Sequence, residues 1–187
     1  MIDLQRRFVL LDRDGVLVMD SGYPHTPEDY ELLPGAVEGA RQLSESGWRL
    51  AIISNQSGIG RGIFSMEDFQ RFHNRLLSDL ARAGVPIAGT FICPHEPRIG
   101  CDCRKPAPGL IFRAESKLHA RLQESIVIGD KTTDIEAGRR AGCLGGILLG
   151  EGRSIPNLMA AAEMITQGEV PHFLISTKER RSSCESG

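Results

Sequence analysis

Five short runs rich in isoleucine, valine and leucine recur along the chain of 187 residues, and four amphipathic stretches separate them. Runs of this length and composition are typical of strands that are buried on both faces of a parallel sheet. Regular alternation of strands and helices predicts the α/β class, with a Rossmann-like parallel sheet flanked by helices. The predicted strands are FVLLD (8–12), RLAIIS (49–54), GTFIC (89–93), SIVIGD (125–130) and GGILLG (145–150).

The stretches between the predicted strands carry the signals of helices. The segment PGAVEGARQLSESG (34–47) begins with a proline and ends with a glycine, as helices commonly do. In the segment 65–84, Ser65 is a suitable N-cap and five apolar residues recur on one face. The remaining predicted elements are helices within 109–122 and 132–142, and a helix followed by a strand within 157–176.

The bulk composition is that of an ordinary globular protein, with 41% hydrophobic and 25% charged residues. The length suits one domain, which we place at residues 1–176, followed by a polar tail at 177–187. A net charge of −2 gives no electrostatic reason to expect a nucleic-acid or membrane partner. Because the N-terminal residues lack the apolar core of a signal peptide, we expect a cytoplasmic protein, and we expect it to be a monomer.

Polar residues follow the predicted strands at the points where the strands end. In open parallel sheets, ligands bind beyond the carboxyl ends of the strands, so these residues are expected to meet at one edge. They are Asp12 and Asp14, Ser54 and Asn55, Cys93 and His95, and Asp130, after the first four strands in turn.

Three carboxylates at that edge, from Asp12, Asp14 and Asp130, predict a magnesium site, because Mg²⁺ prefers oxygen ligands together with a substrate phosphate. One aspartate could attack phosphorus while its neighbour handles protons. Asp134 has two interpretations, as a cap of the following helix or as a supporting group near the metal. The three carboxylates and the metal together point to phosphoryl chemistry.

Phosphoryl transfer also needs positive charge and hydrogen-bond donors around the transferring group. The segment SNQSGIGRG (54–62) offers a hydroxyl, an amide and backbone N–H groups, and Arg104, Lys105 and Lys131 offer cations. The chain has neither the P-loop pattern nor the G-x-G-x-x-G pattern, so nucleotide binding has little support.

Three cysteines and one histidine, all of metal-binding types, lie close together in the segment CPHEPRIGCDC (93–103). Cys93, His95, Cys101 and Cys103 form a Cys₃His set, which is the composition of a closed structural zinc site. A redox pair between Cys101 and Cys103 is the less favoured alternative. Because Arg104 and Lys105 follow directly, a zinc ion here would position phosphate-binding side chains.

Residues 8–150 resemble the haloacid dehalogenase (HAD) superfamily of phosphatases, whose four motifs match DRDG (12–15), Ser54, Lys105 and GDKTTD (129–134) in order. The resemblance implies that Asp12 is the nucleophile and Asp14 the general acid and base, with Ser54 and Lys105 binding the phosphoryl group. It further implies that Mg²⁺ is held by the Asp12 side chain, the Asp14 main-chain carbonyl and Asp130.

The cysteine-rich loop resembles two branches of this superfamily, the D-glycero-D-manno-heptose 1,7-bisphosphate phosphatases and the histidinol-phosphate phosphatases. The segments 20–35 and 55–62 favour the heptose branch, whereas Val18 and the short metal loop depart from its usual pattern. A stand-alone histidinol-phosphate phosphatase and, more distantly, a non-catalytic zinc-loop binding module are the alternatives. In the heptose branch the substrate contacts correspond to Asp20, Tyr23, Asn55, Gln56, Ser57, Arg104, Lys105 and Lys131.

The spacing between the motifs leaves no room for a separate cap domain, since one helix, one strand and loops account for each interval. We therefore expect an open site that grips a small phosphorylated sugar with its loops. The expected reaction is removal of the C7 phosphate of the heptose bisphosphate through an aspartyl-phosphate intermediate.

Overall fold

The computed structural model describes residues 6–170 and 172–173. Its strands are β1 (Phe8–Leu11), β2 (Arg49–Asn55), β3 (Ile87–Cys93), β4 (Ile126–Gly129) and β5 (Gly145–Leu148). They form one parallel sheet in the order β3-β2-β1-β4-β5. This arrangement confirms the predicted α/β class with a Rossmann-like sheet.

Helices follow the strands as the alternation predicted. They are α1 (Ala36–Glu45), α2 (Ser57–Gly60), α3 (Met66–Arg82), α4 (Gly109–Leu118), α5 (Thr132–Ala141) and α6 (Leu158–Thr166). Ser65 caps α3 as predicted, because its hydroxyl accepts a hydrogen bond from the Asp68 N–H at 3.1 Å. The sequence did not predict α2, which at four residues is too short to show a helical period.

Each face of the sheet has its own hydrophobic core, because successive side chains of a strand point to opposite faces. Val9 and Leu11 of β1 pack on the side of α1, α3 and α6. Phe8 and Leu10 pack on the side of α4 and α5. The result is the expected sheet between two helical layers.

The expectation that every strand is buried on both faces was wrong for the two edge strands. In β3 only Cys93 is buried and the other residues are half-buried, and in β5 buried and half-buried residues alternate. Both strands lie at the ends of the strand order, where they have one neighbouring strand each. The central strands β1 and β4 are fully buried, as predicted.

The connection from β1 to α1 contains no further helix or strand among the described residues, apart from isolated bridges of Val18 with Asp14 and Leu32. The sheet edge above β1 is therefore left without a cap domain, as the motif spacing predicted. The register of the central strands pairs Leu11 with both Ile52 and Ile128. The carboxyl ends of β1, β2 and β4 consequently lie side by side.

At the C-terminal end, α6 confirms the predicted helix. Of the strand predicted to follow it, His172 forms an antiparallel bridge with Gly145. Residues 174–176, the predicted domain boundary and the predicted tail at 177–187 lie outside the described residues. Within the described ranges, every helix is too short or too polar to span a bilayer.

Candidate active site

Three carboxylates meet at the carboxyl edge of the sheet. Asp12 follows β1, Asp130 follows β4, and Asp134 lies in the first turn of α5; an oxygen from each lies within 4.8 Å of the others. Gly15 makes this approach possible, since a Cβ on it would lie 2.4 Å from Asp130 Oδ2. Its φ of +79° also belongs to the region that glycine adopts readily. The side chain of Asp14 is not part of this cluster.

The carboxylate cluster is suited to a cation. Burial raises the pKa of Asp130 to about 6, with Lys131 opposing the rise and the charges of Asp12 and Asp134 adding to it. Asp130 Oδ1 is buried and has no hydrogen-bond partner among the described residues. Hard oxygen donors in mutual repulsion, one of them unpartnered, match the donor set that Mg²⁺ takes.

Two lysines lie beside the cluster: Lys131, whose Nζ is 3.6 Å from Asp130 Oδ2, and the buried Lys105. The Nζ of Lys105 lies 3.0 Å from Asp12 Oδ2 and 2.6 Å from Asp134 Oδ1, and it donates to the Ile53 carbonyl at 2.8 Å. Burial alone lowers the pKa of Lys105, but the two carboxylates outweigh it and the pKa is raised. The ammonium group therefore stays charged next to Asp12.

Asp134 makes both of the contacts that the sequence suggested, one as a cap of α5 and one within the site. Its Oδ2 accepts the Lys131 N–H at 3.0 Å at the start of α5, which is a capping contact. Its Oδ1 pairs with Lys105, which is a contact within the site. Asp134 is 1% exposed, so it acts inside the protein on both partners.

The side chain of Asp14 points away from the carboxylate cluster toward Arg13 and Gln56. Arg13 Nε donates to Asp14 Oδ1 at 2.7 Å, and Gln56 Nε2 donates to Asp14 Oδ2 at 2.9 Å. Burial raises the pKa of Asp14, and Arg13 opposes this rise without cancelling it. The Asp14 side chain thus lies apart from the carboxylate cluster and is suited to carry a proton.

A cavity of about 440 Å³ opens in front of these groups. Every residue predicted from the sequence as catalytic or as a substrate contact lines it. Two of the cations stand at its mouth: Arg104, and Lys131, whose Nζ lies 2.8 Å from Asp20 Oδ2. The structure therefore brings the predicted site residues together in one place.

Some of these residues use their polar atoms within the protein. Asn55 Nδ2 donates to the Lys105 carbonyl at 3.2 Å, and its Oδ1 accepts the Lys105 N–H at 3.1 Å. Gln56 Nε2 also donates to Ser54 Oγ at 2.9 Å. By contrast, Tyr23 is 40% exposed and its ring stands at the rim of the cavity.

Sequence reasoning missed Arg13. This arginine is 1% exposed and contacts both Asp14 and Gln56. A charged residue between two site aspartates, inside the apolar run FVLLDRDGVLV, was the available signal. The sequence could not show that its side chain turns inward.

The cysteine-rich loop brings its four predicted ligands together. Cys93, His95, Cys101 and Cys103 each place a donor atom within 4.8 Å of the others. Sulfur–sulfur distances are 3.4 Å from Cys103 to Cys93 and to Cys101, and 3.6 Å between Cys93 and Cys101. Tetrahedral zinc with bonds of about 2.3 Å separates its sulfurs by roughly 3.8 Å, so the loop approximates that geometry.

The same loop contacts the segment that follows β2. The Gln56 N–H donates to the Cys93 carbonyl at 2.7 Å, and the Gly60 N–H donates to the Pro94 carbonyl at 2.9 Å. A Cβ on Gly60 would lie 2.6 Å from that carbonyl oxygen, so glycine is required for the approach. The cysteine-rich loop thus supports the wall of the cavity formed by α2 and the residue before it.

Comparison with known proteins identifies the family. The model of HAD-hydrolase-like proteins matches residues 102–173. A D-glycero-beta-D-manno-heptose-1,7-bisphosphate 7-phosphatase from Vibrio cholerae is 35% identical over 181 residues, which is 91% of this chain and 97% of that protein. Its counterpart from Escherichia coli K12 is 34% identical over 165 residues, which is 84% of this chain and 86% of that protein.

A solved structure agrees with these relatives. The D,D-heptose 1,7-bisphosphate phosphatase from B. bronchiseptica, complexed with magnesium and phosphate, has a TM-score of 0.79 and 30% identity. The match covers 87% of this chain and 99% of that one. With the carboxylate cluster, the buried lysine and the cysteine-rich loop in place, the chain belongs to the heptose-1,7-bisphosphate 7-phosphatase family of HAD-type hydrolases.

Proposed function

We propose that this protein is a magnesium-dependent phosphatase that removes the C7 phosphate of D-glycero-D-manno-heptose 1,7-bisphosphate. The observation that carries the proposal is the pairing of Asp12 with the buried Lys105 at the floor of a cavity that Asp14 also lines. The names of the similar proteins support the choice of sugar. The reaction would serve the supply of activated heptose to bacterial surface polysaccharides.

The chemistry follows from the positions of the two aspartates. Asp12 attacks phosphorus, the bond from phosphorus to the sugar oxygen breaks, and the proton of Asp14 goes to that oxygen. Asp14 then takes a proton from a water molecule that attacks the Asp12 phosphoryl group. This second step releases inorganic phosphate and restores both side chains.

Other groups at the cavity floor stabilise the transferring phosphoryl group. Lys105, held by Asp12 and Asp134, offers its fixed positive charge, and Ser54 offers a hydroxyl from the end of β2. Asp12, the main-chain carbonyl of Asp14 and Asp130 would hold Mg²⁺. The bound ion would neutralise charge on the phosphoryl oxygens and relieve the repulsion among the carboxylates.

The mouth of the cavity favours a small substrate with a second anionic group. Arg104 and Lys131 lie on its wall, and the site has no cap domain to enclose a larger molecule. A second phosphate would compete with Asp20 for Lys131. We place Asp20, Tyr23, Asn55 and Ser57 among the residues that shape this mouth.

The two alternatives receive less support. Histidinol phosphate carries a cationic amine, which the arginine and lysine at the mouth do not favour, and the similar proteins are named for a heptose bisphosphate. A non-catalytic module would have no use for Asp12, Asp14, Ser54 and Lys105 around one cavity, with Asp130 clustered beside Asp12. We also propose that the protein acts as a cytoplasmic monomer.

The substrate proposal is tested by phosphate release with magnesium on both anomers of heptose 1,7-bisphosphate and on histidinol phosphate. We expect kcat/KM to favour a heptose anomer by at least 100-fold, which is about 2.7 kcal/mol in the transition state. Preference for histidinol phosphate would overturn the choice of substrate. Absence of phosphate release from all three would overturn the proposed activity itself.

We further propose that Cys93, His95, Cys101 and Cys103 bind one structural zinc ion. Support comes from the similar spacing of all four donor atoms, which a redox pair of Cys101 and Cys103 would not require. Metal analysis of protein purified without chelators should give about one zinc per chain. A zinc content below about one fifth of an ion per chain would contradict the proposed zinc site.

Removing a zinc ligand tests the role of the loop. Cys103→Ser should lose zinc and lower the unfolding free energy by about 2 kcal/mol or more, which corresponds to roughly 4–8 °C in Tm. Cys143→Ala is the control, because Cys143 is buried elsewhere and should leave the zinc content unchanged. Full zinc content in Cys103→Ser would exclude this cysteine as a ligand.

A further inference from the structure

The clearest feature that the proposed reaction does not use is a charged side chain sealed beneath the site. Arg13 is 1% exposed and lies between the two site aspartates of the chain. Its guanidinium carbon is 5.3 Å from the Phe69 ring and 4.9 Å from the Phe72 ring, both on α3. Packing against two rings holds the guanidinium plane in one place.

The buried guanidinium binds Asp14 with two hydrogen bonds. Nε donates to Oδ1 at 2.7 Å and Nη2 donates to Oδ2 at 3.1 Å, which is a two-point contact between planar groups. Nη2 also lies 3.2 Å from the Pro24 carbonyl oxygen in the loop at the mouth of the cavity. Such a contact restricts the rotation of the Asp14 carboxyl group.

Gln56, which directly follows the neighbouring strand β2, completes the arrangement. Its Oε1 accepts from Arg13 Nη2 at 3.2 Å, and its Nε2 donates to Asp14 Oδ2 at 2.9 Å and to Ser54 Oγ at 2.9 Å. Gln56 is 3% exposed, so these contacts are shielded from solvent. Its amide nitrogen and oxygen both have partners within the protein, although the residue borders the cavity.

The two carboxyl oxygens of Asp14 accept different numbers of hydrogen bonds. Oδ2 accepts from both Arg13 and Gln56, whereas Oδ1 accepts from Arg13 Nε. A carboxylate oxygen has about two acceptor positions, so a position on Oδ1 remains for a proton.

We propose that Arg13 and Gln56 are positioning residues that clamp the Asp14 carboxyl group and direct its Oδ1 toward the leaving oxygen of the substrate. This inference rests on the proposed role of Asp14 as general acid. In the first step, the proton on Oδ1 passes to the leaving oxygen as its bond to phosphorus breaks. In the second step, Oδ1 takes the proton from the attacking water.

A pair of model substrates separates this role from a merely structural one. Benzyl phosphate releases an alcohol whose oxygen must be protonated, whereas p-nitrophenyl phosphate releases a stable phenolate without that help. Because kcat/KM covers the steps up to departure of the leaving group, it includes the role of Asp14 as acid and excludes its later role as base. Neither compound contains the sugar, so the test does not depend on the choice of natural substrate.

We expect Arg13→Met to lower kcat/KM for benzyl phosphate by about 100-fold, because general acid catalysis is worth 100-fold or more. We expect Gln56→Met to lower it by about 10-fold. Arg13→Met should change kcat/KM for p-nitrophenyl phosphate by less than about threefold. Gln56→Met also removes the hydrogen bond to Ser54 Oγ, so it should lower that value as well, but by less than it lowers the value for benzyl phosphate. Arg13→Lys, which retains the charge but cannot make the two-point contact, should fall between Arg13→Met and the wild type.

Two reference variants give the comparison its meaning. Asp14→Asn should show the same dependence on the leaving group, and Leu76→Ala, in the core under α3, should affect both substrates equally. Equal losses on both substrates in the Arg13 and Gln56 variants, or no loss, would overturn the clamp. If Asp14→Asn itself affects both substrates equally, the general-acid role fails and the clamp fails with it.

Discussion

Asp12→Asn should abolish turnover, with kcat falling by about four orders of magnitude or more, because an amide cannot serve as the nucleophile that accepts the phosphoryl group. The substitution preserves the shape of the side chain. It also removes one of the two carboxylates that face Lys105, so a modest loss of stability accompanies it. Steady-state phosphate release in the presence of magnesium measures the effect.

A matched control variant and a trapping experiment test whether Asp12 is the nucleophile. Glu169→Gln makes the same change from carboxylate to amide at an exposed position and should retain full activity. Asp14→Asn, turned over on p-nitrophenyl phosphate and quenched in acid, should carry a phosphoryl group on Asp12, since its second step lacks a base. Full activity in Asp12→Asn would refute the nucleophile assignment.

Lys105→Met should destabilise the protein by about 3–5 kcal/mol, because it leaves two buried carboxylates without their shared cation. Asp12 Oδ2 and Asp134 Oδ1 both lie within 3.0 Å of the Lys105 ammonium group. For a protein of this size the loss corresponds to roughly 6–20 °C in Tm. Activity should fall by about 100-fold or more, because the phosphoryl group loses its buried cation.

The measurement is denaturant unfolding without added magnesium, so that a bound cation does not replace the lost charge. Lys117→Met, at an exposed position of α4, should change stability by less than about 0.5 kcal/mol. The double variant Lys105→Met with Asp134→Asn should recover part of the stability but none of the activity, because it removes one of the two uncompensated charges. If Lys105→Met lowers the unfolding free energy no more than Lys117→Met does, the buried ion pairs of Lys105 contribute little to stability.

The predictions that came from local pattern agree with the structure. The order of strands and helices, the N-cap at Ser65 and the absence of a cap domain all depend on short stretches of sequence and on the intervals between them. The grouping of Asp12, Ser54 and Asp130 follows from the parallel sheet, because the carboxyl ends of its strands share one edge. The grouping of the Cys₃His ligands could also be predicted, because all four lie within eleven residues of sequence.

The errors came from properties that depend on position within the whole sheet. The composition of GTFIC (89–93) resembles that of the central strands, yet β3 lies at an edge and is half-buried. Nothing in the residues themselves states which strand ends the sheet. The four-residue helix α2 was missed because it is too short to show a helical period, and its contact with the cysteine-rich loop, Gly60 against Pro94, joins segments distant in the sequence.

The sequence by itself determined the fold class, the strand ends that carry the chemistry and most of the residues that meet there. Only the tertiary structure decided how those residues pair: Lys105 between Asp12 and Asp134, and Arg13 and Gln56 on Asp14. Such pairs join side chains up to 93 residues apart, from Asp12 to Lys105, and depend on strand register and rotamers. The direction of a buried side chain is set by packing around it, which no local pattern encodes.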